Sequence, residues 1–197
     1  MCNITFGNNE ANPIYLSGHL WVGNQEQLSV TIPDNKEEIN SSTFAGAKEI
    51  IQITISKDVN TIGYDAFAGC TGLLYVYYAN QDQITSMTYK NSNSNPMVYA
   101  KKVYADNGTE PITEIAFNNN VNAYACKGAK WLKKVTFGSS VKSIGKEAFS
   151  DCLNLSSPTL PEHLESIDTK YYHKHRSFCL CRLFQPAVNY CIYRNTY

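Results

Sequence analysis

The sequence lacks a dominant charge, a long apolar run and an orderly set of cysteines. Lys plus Arg and Asp plus Glu number 17 each among 197 residues. No net field therefore draws the chain to nucleic acid, an anionic membrane surface or a polyanionic substrate. No apolar stretch approaches the roughly 20 residues that span a bilayer, which excludes membrane insertion by a helix of this sequence. The opening "MCNITFGNNE" has neither the basic nor the apolar region of a secretory leader, so an exported form would carry its signal outside this sequence. The seven cysteines, at 2, 70, 126, 152, 179, 181 and 191, are odd in number and irregular in spacing, unlike a disulfide framework. Cys70 and Cys152 read instead as small buried apolar residues. Nucleophile-elbow, zincin and P-loop motifs are missing. His19 and His163 have no Ser or Cys partner in the sequence and read as surface residues. Glu37 and Glu38 fall in a turn with a solvated face. No catalytic residue, metal ligand or cofactor is expected.

What the chain does have is a repeat. Ile32, Ile39, Phe44, Ala47 and Ile50 return 23 residues later as Ile55, Ile62, Phe67, Cys70 and Leu73. Leu132, Val135, Phe137, Val141, Ile144, Phe149, Cys152 and Leu155 match Ile50, Ile53, Ile55, Val59, Ile62, Phe67, Cys70 and Leu73 in order. A shorter copy carries Ile112, Ile115, Phe117, Val121 and Tyr124, then rejoins at Leu132 with three residues lost and Ala129 where Phe would stand. Another begins at Leu155 with Leu160, Leu164 and Ile167. A longer period links "FGNNEANPIYLSGHLWVGNQEQLSVTI" to "YKNSNSNPMVYAKKVYADNGTEPITEI", with Pro13 and Pro96 83 residues apart. Each of these stretches holds a polar run, an Asn-Pro, a strand pattern at His19 to Val22 or Lys102 to Tyr104, and a turn. Both read as β-hairpins inserted between regular coils.

Within one unit, Ile53 and Ile55 alternate as in a strand. Gly63 turns the chain into a geometry that a side chain would resist. Ala66, Phe67 and Cys70 then fold back as a short helical turn. A unit this small cannot bury both its strand and its Phe, so neighbours must stack and share one core. The expected architecture is an α/β solenoid of about six coils.

The stretches "VTIPDNKEEINSSTFAGAKEI", "VNTIGYDAFAGCTGLLYV" and "VKSIGKEAFSDCLNLSSPTLPEHLESI" resemble the leucine-rich repeats of the BspA-like surface proteins. Their units read approximately L-x-x-V-x-I-P-x-x-V-x-x-I-G-x-x-A-F-x-x-C-x-x-L. The resemblance covers roughly residues 10 to 167, and the unit near 79 to 100 has lost the Ile-Gly and Ala-Phe signature. It implies a curved leucine-rich-repeat solenoid, with strands on the concave side, a short helical or irregular convex side and β-hairpin insertions. It also implies an extracellular or cell-surface protein, used for adhesion and protein binding in host-associated bacteria and some protists.

The expected organisation is an Asn-Pro segment and first hairpin at 1–27 and regular repeats at 28–78. An irregular repeat and second hairpin follow at 79–111, repeats at 112–167 and a degenerate tail at 168–197. The expected binding face is the strand side, at Leu74, Tyr75, Tyr77, Glu114, Lys133 and Lys134. There Tyr75 and Tyr77 either anchor a ligand beside the Glu114 and Lys133 rows or pack beneath the hairpin that follows them. A tyrosine pair in mixed charge suits a protein or glycan ligand, host matrix or cell surface among them, and not a phosphate backbone. The tail, with His173, His175, Cys179, Cys181 and Cys191, is expected to be poorly ordered. It supports an alternative, a metal- or thiol-dependent enzyme or metal-binding protein. A one-base shift of reading frame from Asp168 onward also makes a further family repeat accessible there.

Overall fold

The computed structural model describes residues 8–22 and 24–168. The β-branched Ile-Thr-Ile type runs form short strands stacked in parallel, coil upon coil. β3 (Ser29–Thr31), β5 (Gln52–Thr54), β7 (Tyr75–Tyr77) and β9 (Lys102–Tyr104) make one four-stranded sheet, in the order β3-β5-β7-β9. A second ladder at the coil corners joins β4 (Glu38–Ile39), β6 (Thr61–Ile62) and β8 (Thr88–Tyr89). In the second half β10 (Glu114–Phe117) pairs with β11 (Lys134–Phe137), and β12 (Ser143–Ile144) with β13 (Ser166–Ile167), both in parallel. The antiparallel pair is β1 (Trp21–Val22) with β2 (Gln25–Glu26). The chain is thus a leucine-rich-repeat solenoid.

The inward residues of every coil merge into one core. Ile39, Ile53, Ile62, Phe67, Leu73 and Val76 have no exposed surface, and Phe149 keeps 4%. Phe44 stacks on Phe67 with centroids 5.4 Å apart, while Phe149 sits edge-on to Phe117 at 5.7 Å. Cys70 and Cys152 are buried and donate their thiols to the carbonyls of Phe44 and Cys126. Gly63 has an unexceptional φ, and its requirement is close approach. A Cβ there would lie 2.5 Å from the Ser41 nitrogen of the preceding coil, and one on Gly145 would lie 2.5 Å from the Ala123 nitrogen.

Two coils depart from the 23-residue period, and they compensate each other. Along the corner ladder Ile62 is opposite Tyr89, while Thr54 on the strand is opposite Tyr77. The third coil is therefore four residues longer between strand and corner. The excess forms α1 (Gln81–Ser86), capped by the Asn80 side chain at the Gln83 nitrogen. In the fourth coil Phe117 is opposite Phe137 but Val121 is opposite Ile144, so three residues are missing from the same turn. α1 lies against β10. Asn122 donates its amide to Ser86 O and Met87 O, both at 3.1 Å, at the end of that helix.

This register corrects the expected alignment of the short copy. Val121, and not Tyr124, takes the corner place of Ile144. Cys126 donates its backbone N–H to Ala148 O as Phe44 does to Ala66 O, so Cys126 takes the Phe place and Ala129 the Cys place. Lys102 to Tyr104 also differs from expectation. It is not the free arm of a hairpin but a rung of the parallel sheet, with Val103 opposite Val76. The chain does turn back after it, through one bond from Ile112 N–H to Val103 O at 2.8 Å.

The Asn-Pro segments are built twice on one plan. Asn12 and Asn95 have no exposed surface. Asn12 accepts from the Ile14 nitrogen at 3.0 Å and donates to Ser42 O at 2.5 Å and Thr43 O at 3.4 Å. Asn95 accepts from the Met97 nitrogen at 2.9 Å and donates to Tyr124 O at 2.7 Å and Ala125 O at 3.3 Å. Each side chain serves two carbonyls of the following coil. Ser42 O and Tyr124 O also accept from the Ala45 and Lys127 nitrogens, whereas Thr43 O and Ala125 O receive no backbone N–H among the described residues, and a buried carbonyl without a partner costs about 1–3 kcal/mol. Pro13 and Pro96 follow at helix position N1, where the missing N–H costs nothing.

With Phe67 sealed between coils, Phe67→Ala is expected to lower stability by about 3–5 kcal/mol. Lys133→Ala at an exposed position should stay within about 0.5 kcal/mol. Urea unfolding of both variants checks the assigned register.

Candidate binding face

Alternation along each strand sends every second residue away from the core. Around Tyr75 to Tyr77, Val76 is sealed in the core and the flanking tyrosines are half-buried. Strand pairing then builds two outward rows. One runs Ser29, Gln52, Tyr75, Lys102 and the other Thr31, Thr54, Tyr77, Tyr104. The neighbours of the tyrosines are therefore Gln52 and Thr54 on one side and Lys102 and Tyr104 on the other. The expected adjacency to Glu114 and Lys133 is not found, because β9 takes the place next to β7. The repeat offers a signal for this, since "LYVY" at 74–77 and "KKVY" at 101–104 share Val-Tyr at the same two places.

The tyrosines form a ring cluster. Tyr77 stacks on Tyr104 with centroids 4.6 Å apart and planes 9° from parallel, and Tyr75 tilts toward Tyr104 at 6.5 Å. Tyr104 keeps only 8% of its surface. Leu74 is half-buried at the edge, and its carbonyl accepts from the Lys101 and Lys102 nitrogens at 2.9 and 3.0 Å. Rigid aromatic rings with a cation and an amide at their rim are the kind of surface that anchors a partner.

Glu114 and Lys134 project from the separate β10–β11 pair and form an ion pair at 3.1 Å, with side chains 62% and 55% exposed. Pairs this exposed contribute little. Lys133 is exposed beside them and its backbone nitrogen bonds Thr113 O at 2.8 Å.

The interior offers little chemistry. Burial pushes the Cys70 and Cys152 thiols up to about 12 and Cys126 well above the ordinary thiol value, which keeps them protonated and poorly nucleophilic. Tyr78 and Tyr89, hydroxyl to hydroxyl at 3.1 Å, are likewise raised by burial. Among the described residues no group of three or more His, Cys, Asp or Glu is placed to hold a metal. No helix of the described residues is long and apolar enough to cross a membrane. The tail cluster at His173, His175, Cys179, Cys181 and Cys191, and the expectations for order and reading frame there, lie outside the described residues.

Stacked parallel rungs, corner glycines and inward Phe and Cys places define a leucine-rich-repeat protein. The family model for the BspA type leucine rich repeat region matches residues 3–96 and 99–185 in 6 copies, and the chain belongs to that family. Its repeats are consistent with a protein-interaction module. Among solved structures, the chain is similar to a leucine rich repeat protein of T. pallidum, with 19% identity over 72% of this chain and 69% of that one and a TM-score of 0.37. The pneumococcal vaccine antigen PcpA gives 20% identity over 69% of this chain and 40% of that one, with a TM-score of 0.43. A leucine-rich repeat protein from Bacteroides ovatus gives 16% identity over 71% of this chain and 56% of that one, at 0.29. No curated protein matches the sequence.

The ring stack and the exposed ion pair should respond differently to truncation. Tyr77→Ala is expected to cost about 2 kcal/mol, because it removes buried ring area and the stack on Tyr104. Lys134→Ala should change stability by less than about 0.5 kcal/mol. Equal effects of the two changes in urea unfolding would mean that the Tyr77 stack contributes no more than the ion pair.

Proposed function

We propose that this chain is a non-enzymatic interaction and adhesion module of a surface or secreted protein, binding a protein or glycan through its strand face. Host matrix and cell-surface components are the partners this reading favours. The observation that carries it is the tyrosine cluster, in which Tyr75 stands half-open on a rigid parallel ladder between Gln52 and Lys102. Tyr104, itself stacked on Tyr77, tilts against that ring, so a ligand would immobilise few side chains on binding. Leu74 supplies an apolar margin, while Glu114, Lys133 and Lys134 form a second, charged patch on β10 and β11.

Tests start from a screen of the folded chain against matrix proteins and glycans. For the ligand found, Tyr75→Ala is expected to weaken binding by about 2 kcal/mol, roughly thirtyfold in Kd, with the melting temperature nearly unchanged. Unchanged affinity in a stable Tyr75→Ala variant would move the binding surface elsewhere.

A further inference from the structure

The strand face differs in charge from the chain as a whole. Acids and bases balance at 17 each over the sequence, yet the outward rows of β3, β5, β7 and β9 hold no carboxylate. Positive charge stands at the β9 end, where Lys101 and Lys102 are both exposed. Lys134 and Lys142 pair with Glu114 and Glu165 at 3.1 and 3.0 Å. Among the described residues neither Lys101 nor Lys102 has an acidic partner.

Beside these lysines runs an apolar edge. The Leu74 nitrogen donates to Ile51 O at 2.8 Å and the Lys101 nitrogen to Leu74 O at 2.9 Å. Ile51, Leu74 and Lys101 therefore form one row, next to the row of Gln52, Tyr75 and Lys102. Ile51, Leu74 and Tyr75 are half-buried, yet none of them belongs to the core or packs against it. Their hydrocarbon is held at the surface between two cations and the Gln52 amide.

We propose that this face binds an acidic and apolar segment of a protein partner, an extended peptide laid across the coils with Asp or Glu at one position and an apolar residue two positions away. The assignment deepens the strand-face reading above and rests on it. Adjacent rungs lie about 4.8 Å apart, and alternate side chains of an extended strand about 6.6 Å apart. A carboxylate at Lys101 and Lys102 thus sets the apolar side chain between Leu74 and Ile51, with the Tyr75 ring alongside. The Gln52 amide, donor and acceptor together, then faces the peptide backbone. An acidic glycan meets the lysines and the ring equally well but has no apolar side chain to cover Ile51 and Leu74, and covering apolar surface is what supplies affinity there. A nucleic acid calls for a larger cluster of cations.

Selection of a phage library of random linear peptides on the folded chain tests this. The selected peptides are expected to share an acid two places from Leu, Ile, Phe or Met, and a synthetic peptide of that pattern is then titrated by fluorescence anisotropy. Lys101→Gln with Lys102→Gln should weaken it roughly fivefold and flatten the salt dependence of Kd, with the melting temperature unchanged. Lys57→Gln with Lys90→Gln removes the same charge from two other exposed positions and should leave Kd as it was. Changing the peptide's acid to its amide should cost the parent chain the same factor and cost the Lys101, Lys102 variant nothing further. Peptides that weaken with Tyr75→Ala but ignore both lysines would leave the strand-face reading standing and overturn the acidic class. Peptides that ignore Tyr75→Ala as well would overturn both. Enrichment of basic peptides, failure to select any peptide, or binding of uronic-acid oligosaccharides in place of peptides would also overturn the proposal.

Discussion

Each coil of this solenoid must hand its backbone N–H and C=O groups to the next, and the rest of the structure depends on that exchange being complete. Regular coils achieve it mainly with backbone, helped by single side chains such as Ser41, which accepts from the Tyr64 nitrogen at 3.1 Å. Thus Leu28 O, Ile51 O and Leu74 O each receive two nitrogens from the following rung. Where coil length departs from the period, side-chain amides stand in for backbone. Asn120 Oδ1 accepts from the Lys142 and Ser143 nitrogens at 2.8 and 3.0 Å, the part that Glu37 O plays for Asn60 and Thr61. Gln83, buried in the long coil, donates to Ser56 O and Val59 O and accepts from the Ala79 nitrogen. Asn95 and Asn122 do the same between the third and fourth coils. A carboxamide carries both a donor and an acceptor at peptide-like geometry, which is why Asn and Gln hold these places.

That exchange also explains why the interior is chemically quiet and the surface is not. The stack buries Phe, Ile, Ala and Cys in fixed places, and burial keeps the thiols protonated. The outward positions are repeated by parallel pairing in straight rows. The second half begins a new pair of strands at β10, so the aromatic rows and the charged patch of Glu114, Lys133 and Lys134 are separate surfaces of one scaffold.

The sequence reading succeeds where the period is intact. Ile53, Phe67, Cys70 and Phe149 stand in the core as their spacing requires, and the alternation around Val76 puts Tyr75 and Tyr77 on the other side of the strand. It fails where a four-residue excess and a three-residue deficit interrupt the period, because their mutual compensation is visible only in hydrogen bonds. Hence Cys126 was hidden behind Ala129 as the Phe equivalent, and Lys102 and Tyr104 were hidden in a hairpin reading. The Asn-Pro pairs stand out as a repeat, but a polar residue is ordinarily placed at the surface. Their full burial follows from carbonyls of the next coil, some 30 residues away, which no local pattern encodes.

The replacement of backbone by buried amides is tested most directly at Asn95, through native-state amide hydrogen exchange and urea unfolding of Asn95→Ala. Loss of about 1–3 kcal/mol, with faster exchange at Met97 and across the joint between the third and fourth coils, is the predicted result. A variant within about 0.5 kcal/mol of the parent, with exchange at that joint unchanged, would contradict it.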